Sequence, residues 1–305
     1  MEHLDTAIVL IPLIAVIAPL AARAIGPWLR VPVVVFELAL GIVVGPSVLG
    51  WVGPSAFVDV LSEFGLAMLF FVAGTEIEFA ALRERSGRRA IGGWLISIAL
   101  GVAVGLLVAP GLGAVVIGIA LASTALGTLL PILRDAGELR TPFGRAVGAL
   151  GAVGEFGPLV AISHDREAVE SKVEAIAFGF LVPLFFIYTG VTFDLASLLD
   201  DPRLLAMVPL ALLVLLAVRG LPSALAAPQG SDRKTTAAVV LLGATGLPII
   251  VAVTAIGVDE GLISSGLASV LVGAGMLAVL LFPLIGMALH GDRVPSTTVR
   301  VDDEV

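Results

Sequence analysis

The 305-residue chain has no cysteine, three histidines and a single tyrosine. Without cysteine there is no disulfide framework, no thiolate metal site and no cysteine nucleophile. His3 lies in an acidic leader, and His164 and His290 lie at polar junctions. None has a second histidine at helical spacing, so His164-Asp165-Arg166-Glu167 is not a zinc motif. Charge is scarce too, at 14% of residues with a net charge of −8. No basic stripe alternates with aromatics, so nucleic acid is not an expected partner. No Gly-Lys-Ser/Thr follows the glycine-rich stretches, which excludes a phosphate loop. The residue sets of an intramembrane protease (Ser–Lys, Ser–His, two buried aspartates or a zinc motif) are missing. An enzyme is therefore not expected, and no cofactor is implied.

What the chain has in abundance is apolar length. Hydrophobic residues make up 58% of it, more than so few charges can cover in a soluble domain. Its 35 glycines and 18 prolines fall largely inside apolar runs, a pattern membrane helices tolerate. A spanning helix needs about 20 mostly apolar residues. Ten candidates follow, at 7–25, 31–50, 60–79, 91–109, 113–133, 144–163, 174–193, 203–220, 236–257 and 262–289. The fold class expected is an all-α polytopic membrane protein in a lipid bilayer, at the plasma membrane. The leader is acidic where a signal peptide would be basic, so a cleaved signal is not expected. Residues 290–305 form a polar tail.

Basic residues accumulate in cytoplasmic loops and so report orientation. The first loop carries Arg23 and Arg30, the third Arg83, Arg85, Arg88 and Arg89, and the fifth Arg134, Arg140 and Arg145; the second and fourth carry none. This puts the N-terminus outside and the end of the sixth helix outside. From the other end, Arg293 and Arg300 mark the tail, and Arg219, Arg233 and Lys234 are read as one loop. That half requires the seventh candidate to start inside. The two halves thus disagree near Ser163–His164. Either an odd number of spans is missing there, or the second half inserts against its own charge bias.

The halves are also similar to each other. Leu69–Phe79 resembles Leu184–Leu195, and Ala122-Ser123-Thr124-Ala125-Leu126 resembles Gly243-Ala244-Thr245-Gly246-Leu247. With opposite charge polarity in each half, these are antiparallel repeats, in which a transport site falls at the midplane between broken helices. Ser123, Thr124, Gly127 and Pro131 mark one break, and Gly243 to Pro248 the other. Glycine and proline there remove ladder hydrogen bonds, freeing carbonyls and half-helix dipoles for a cation. The competing explanation for small residues is close helix packing.

One carboxylate stands out. Glu155 lies near the middle of the otherwise uncharged run Ala146–Ser163. A lone carboxylate at that depth costs roughly 3 kcal/mol on insertion scales, so it is either paired or there to bind a cation or proton. Glu37, about six residues into the second helix, is an auxiliary candidate. Glu76, Glu78 and Asp194 lie at helix ends, where solvation is cheap.

Together these segments resemble a known family. Val31–Trp51 with Gly-Pro-Ser-Val-Leu-Gly-Trp, Ala73-Gly74-Thr75-Glu76-Ile77-Glu78, Ala122-Ser123-Thr124-Ala125, Gly154-Glu155-Phe156-Gly157-Pro158 and Ala244-Thr245-Gly246-Leu247-Pro248 look like bacterial monovalent cation:proton antiporters of the Kef-type/NapA-like branch. The resemblance implies about thirteen helices in two inverted six-helix repeats, with discontinuous crossing helices. It also implies a mobile core and a dimerising domain, making a homodimer the candidate assembly. By position, Glu155 is the implied ion- and proton-binding carboxylate, with Ser123, Thr124 and Thr245 near the crossover. Glu155 would alternate between protonated and sodium- or potassium-bound forms while the core rocks to expose it to each side. With no second charged group recognised beside it, exchange is expected to be electroneutral.

The chain departs from that pattern in three ways. Gly154 stands where the family often has aspartate, asparagine or glutamine. The stretch matched to the tenth helix, Phe185–Gly190, has no buried lysine. Three helices are expected to be missing after Ser163, so the second repeat is incomplete. The expected organisation is a first repeat at 1–163, a junction at 164–173, the last four helices of the second repeat at 174–289, and the tail at 290–305. The alternatives are a truncated, transport-deficient antiporter and a passive cation channel.

Overall fold

The structure is a computed structural model and describes residues 6–25, 33–75, 85–156 and 180–291. All regular structure among these residues is helical. In order the helices are α1 (Thr6–Ile25), α2 (Val33–Val44), α3 (Ala56–Thr75), α4 (Arg85–Val108), α5 (Leu112–Ala122), α6 (Leu126–Asp135) and α7 (Pro142–Phe156). They are followed by α8 (Val182–Thr192), the short α9 (Leu195–Asp200), α10 (Pro202–Leu215), α11 (Arg233–Gly243), α12 (Pro248–Asp259) and α13 (Ser265–His290). α10 continues through a π-helical turn at Leu216–Gly220 and two short turns to Ala226. The expected junction at 164–173 lies outside the described residues, as do Glu76, Glu78 and His164.

Both expected breaks are present. The 113–133 candidate divides into α5 and α6 around Ser123–Ala125. The 236–257 candidate divides into α11 and α12 around Ala244–Leu247. The interrupted helices are the innermost layer. In their most apolar stretches, 78% of the α5–α6 pair and 72% of the α11–α12 pair is buried, against 22% for α4 and 28% for α10. α4 and α10 therefore lie on the outside of the described bundle.

Close packing rests on small residues. Gly101 and Gly105 of α4 face Gly118 and Ala114 of α5 so closely that a Cβ at either glycine would strike backbone. Gly41 of α2 meets the Ile187 carbonyl of α8, and Gly190 of α8 meets the Leu38 carbonyl in return. Such contacts gain dispersion where lipid offers no hydrophobic drive between helices.

The ends of the helices settle which faces coincide. The loop before α7, the start of α11 and the end of α13 lie together: His290 reaches Glu138 at 3.3 Å and Thr235 at 3.3 Å. Arg140 in the loop, Arg145 in the first turn of α7, and Arg233 and Lys234 at the start of α11 therefore share one face. On the opposite face, Ser47 donates to the Phe193 carbonyl at 3.1 Å and the Tyr188 hydroxyl lies 3.3 Å from Ser55. The basic ends of both halves lie on the same side, so the second half is not inverted against its own charges. α3 and α8, the similar segments, run in opposite directions, as inverted repeats require.

One residue used in the charge argument does not belong there. Arg219, read from sequence as a loop residue, is inside the π-helical turn and completely buried at 0% exposure. Pro222, two residues beyond the turn, has no N–H to donate, and within the turn the ladder shifts register, so that Leu221 donates to the Leu216 carbonyl.

Candidate functional site

The two interrupted helices cross where their extended segments touch. Ser123 leaves α5 with an extended backbone (φ −77, ψ 154). The Ala125 N–H donates to the Thr245 carbonyl at 2.6 Å, joining the two breaks. Thr124 donates its hydroxyl to the Gly243 carbonyl at 2.6 Å. Gly246 allows this approach, since a Cβ there would sit 2.6 Å from the Ser123 carbonyl oxygen. The unpaired backbone groups of each break are thus partly satisfied by the other, as a low-dielectric interior demands.

Glu155 reaches this crossing from α7. It is 4% exposed, and its Oε2 accepts the Leu126 N–H at 2.7 Å. Leu126 opens α6, so the carboxylate caps a helix amino end, where aligned peptide dipoles favour negative charge. α7 comes close because it is glycine-rich on this side. A Cβ on Gly151 would lie 2.7 Å from Leu126, and one on Gly154 would lie 2.8 Å from Thr124.

The structure brings the four sequence-predicted residues Glu155, Ser123, Thr124 and Thr245 into one buried region, each at 4% exposure or less. Their hydroxyls have defined partners. Ser123 donates to the Ala120 carbonyl at 2.9 Å and Thr245 to the Leu241 carbonyl at 3.3 Å. Glu37 is buried as well, but on α2, whose main packing is against α8 and α1. No hydrogen bond or ion pair to its side chain occurs among the described residues. Asp194 sits at the α8–α9 junction, half-exposed.

Arg219 is the residue that sequence reading missed. Its Nε donates to the Thr124 hydroxyl oxygen at 2.7 Å and its Nη2 to the Leu150 carbonyl at 2.9 Å. These join positions 95 and 69 residues apart. Phe185–Gly190 indeed carries no lysine, but a buried cation is supplied from α10. A second charged group thus lies beside Gly154, next to the carboxylate in sequence, where the sequence reading recognised none. The faint signal available in sequence was an arginine ending an apolar run directly before Gly-Leu-Pro.

His290 also differs from expectation. It is buried rather than a bare junction residue, and its ring stacks on Phe143 at 3.8 Å between centroids. Glu138, its partner, accepts the Thr141 hydroxyl at 2.6 Å. This cluster ties the α6–α7 loop to the start of α11 and the end of α13. No group of three histidine or acidic side chains that could hold a metal ion occurs among the described residues.

Two interrupted helices crossing at the centre of an apolar bundle, with a carboxylate at the crossing, define an inverted-repeat ion-transporter fold in a multi-pass membrane protein. Comparison with known proteins agrees. A family profile described as "Sodium/hydrogen exchanger, transmembrane" matches residues 12–164 and 147–288, and the chain belongs to that family. The Na(+)/H(+)-K(+) antiporter GerN of Bacillus cereus is 25% identical over 256 positions, covering 53% of this chain and 66% of GerN. The putative Na(+)/H(+) antiporter YjbQ of Bacillus subtilis is 29% identical over 147 residues, covering 48% of this chain and 24% of YjbQ. The iron transporter MagA of Paramagnetospirillum magneticum is 37% identical over 139 residues, covering 43% and 32%. The chain thus spans between a quarter and two thirds of the length of these relatives. The sodium proton antiporter MjNhaP1 from Methanocaldococcus jannaschii superposes with a TM-score of 0.56 at 14% identity, covering 92% of this chain and 95% of that one, a likeness of fold.

Proposed function

We propose that this protein exchanges a monovalent cation, sodium or potassium, for protons across the plasma membrane, with Glu155 as the exchangeable site. The observation that carries this reading is the Glu155 carboxylate, buried and 2.7 Å from the Leu126 N–H at the crossing of both interrupted helices. One carboxylate cannot hold a proton and a metal cation together at full strength, so each displaces the other. Backbone groups of the breaks at Ser123–Ala125 and Ala244–Leu247, with the hydroxyls of Ser123, Thr124 and Thr245, surround the exchange position. Rocking of the bundle that holds the crossing, against α1–α3 and α8, exposes it to each side in turn. The N-terminus outside, the basic face in the cytoplasm and assembly as a homodimer complete the reading. Glu37 is an auxiliary carboxylate outside the crossing.

Sodium- or potassium-dependent proton flux in proteoliposomes tests this. Glu155→Gln keeps shape and hydrogen-bonding capacity while removing the charge that binds the cation, and should abolish exchange; retained exchange refutes the assignment. Current that persists in Glu155→Gln and follows voltage would support the passive channel instead.

One observation favours an incomplete second repeat. The 256 positions aligned with GerN take up only 53% of this chain, fewer residues than positions, so the alignment passes over parts of GerN that this chain lacks. Cysteine accessibility at sites introduced on both faces tests whether the chain inserts as one bundle. A mixed orientation would point to a transport-deficient remnant.

A further inference from the structure

Gly154 and Arg219 occupy one space from opposite sides. A Cβ built on Gly154 would lie 2.7 Å from Arg219 Nη2 and 2.8 Å from the Thr124 hydroxyl and Cβ. All of these are interior atoms, Arg219 and Thr124 each having 0% exposure, so none can swing into solvent to make room. Thr124 is pinned to Gly243, and Arg219 Nη2 to the Leu150 carbonyl on the same helix as Gly154. The guanidinium therefore lies on the bare face of α7 just before Glu155.

What the guanidinium does there follows from its donors. The Nε bond fills an acceptor position on the Thr124 oxygen while that hydroxyl's hydrogen goes to Gly243. Thr124 is thus held from both sides, and the extended segment 123–125 is held with it. Two residues on, the Leu126 N–H meets Glu155. Arg219 reaches the carboxylate through this segment and also through Leu150, one and a half turns before Glu155 on α7. Arg219 Nη1 has no hydrogen-bond partner among the described residues. A buried guanidinium is an expensive group to leave incompletely paired, and its retention calls for a role.

We propose that Gly154 and Arg219 are a positioning pair for Glu155: the missing side chain at 154 admits the guanidinium, and the guanidinium sets the distance between the first helix break and the carboxylate. This rests on the reading of Glu155 as the exchange site. Here a side chain at 154 and the Arg219–Thr124 bond exclude each other.

The test is a double-mutant cycle of Gly154→Ala and Arg219→Ala in the full chain, read by thermal midpoint in detergent and by cation-dependent proton flux. In the Arg219 background, Gly154→Ala should lower the midpoint and raise the cation KM by about tenfold, as loss of one charge-assisted contact would. In the Arg219→Ala background the clash with Nη2 is gone, and Thr124, released from the Nε bond, is the one contact left to yield. The same methyl should then leave both values within about twofold, since non-additivity is the signature of direct contact. The pH profiles of the two single variants should be displaced from wild type in the same direction, which a purely structural defect would not produce. A silent Gly154→Ala, effects that multiply in the double variant, or unshifted pH profiles overturn the pairing. If Gly154→Ala fails to accumulate, Gly154→Ala/Arg219→Lys decides, because lysine lacks the second nitrogen of the fork. Accumulation of that variant supports the pair and its absence overturns it. If wild type itself exchanges nothing, the exchange reading fails, while the thermal cycle still tests the pair.

Discussion

The two helix breaks have the same outline and different fastenings. The first, at Ser123–Ala125, is held by side chains: Thr124 bridges to Gly243, Arg219 grips Thr124, and Glu155 caps the amide that opens α6. The second, at Ala244–Leu247, is held by backbone. Ala244 and Thr245 donate back into α11, and α12 opens on Pro248 with no side-chain cap. Proline removes one of the orphan N–H groups that a cap would otherwise have to satisfy. The repeat therefore supplies a shared geometry, but charge is concentrated on one side of it. The proposed exchange site needs only one carboxylate, and here that carboxylate meets the amide that opens α6.

That asymmetry can be broken or sharpened by substitution. The largest effect is expected at the contact the two breaks share. Gly246→Ala drives a methyl against the Ser123 carbonyl, where neither backbone can yield, and should destabilise by about 3 kcal/mol. A thermal midpoint close to wild type would show the breaks are not so closely apposed. Next comes the side-chain fastening. Thr124→Val removes the bridge and leaves the Arg219 Nε buried without an acceptor, for a loss of about 2 kcal/mol in chemical unfolding. At the margin of the bundle, His290→Ala removes the stacking on Phe143 and the contact with Glu138, for about 1 kcal/mol by the same measurement. The smallest effect is expected at the second break. Thr245→Val deletes only the 3.3 Å bond from the break back to the Leu241 carbonyl of α11, and should change stability by about 0.5 kcal/mol or less. If Thr245→Val matched Thr124→Val, the two breaks would be fastened alike and the comparison would fail.

Much of this architecture was legible in the chain. The breaks showed because glycine, proline and threonine interrupt apolar runs at matching repeat positions, and such residues have few other uses there. Glu155 showed because nothing else in its run is charged. Arg219 did not, because an arginine at the end of an apolar run reads as a loop residue. Local sequence does not reveal the π-helical turn that aims it inward, nor the Thr124 hydroxyl 95 residues away that receives it. His290 was missed for the same reason, since its partners come from two other elements. Leaving Arg219 out of the charge argument does not change its outcome, because Arg233 and Lys234 mark the same face without it.

The sequence by itself determined that this is an apolar helical bundle with two interrupted helices and one isolated carboxylate. Those properties follow from composition and spacing, which act locally. Only the tertiary structure decided that the breaks cross, that the two halves present their basic ends on the same face, and that a guanidinium stands over Gly154. Each of these depends on hydrogen bonds and clearances between residues far apart in the chain. A buried polar group is satisfied by whichever partner folding brings within about 3 Å, not by its neighbour in sequence.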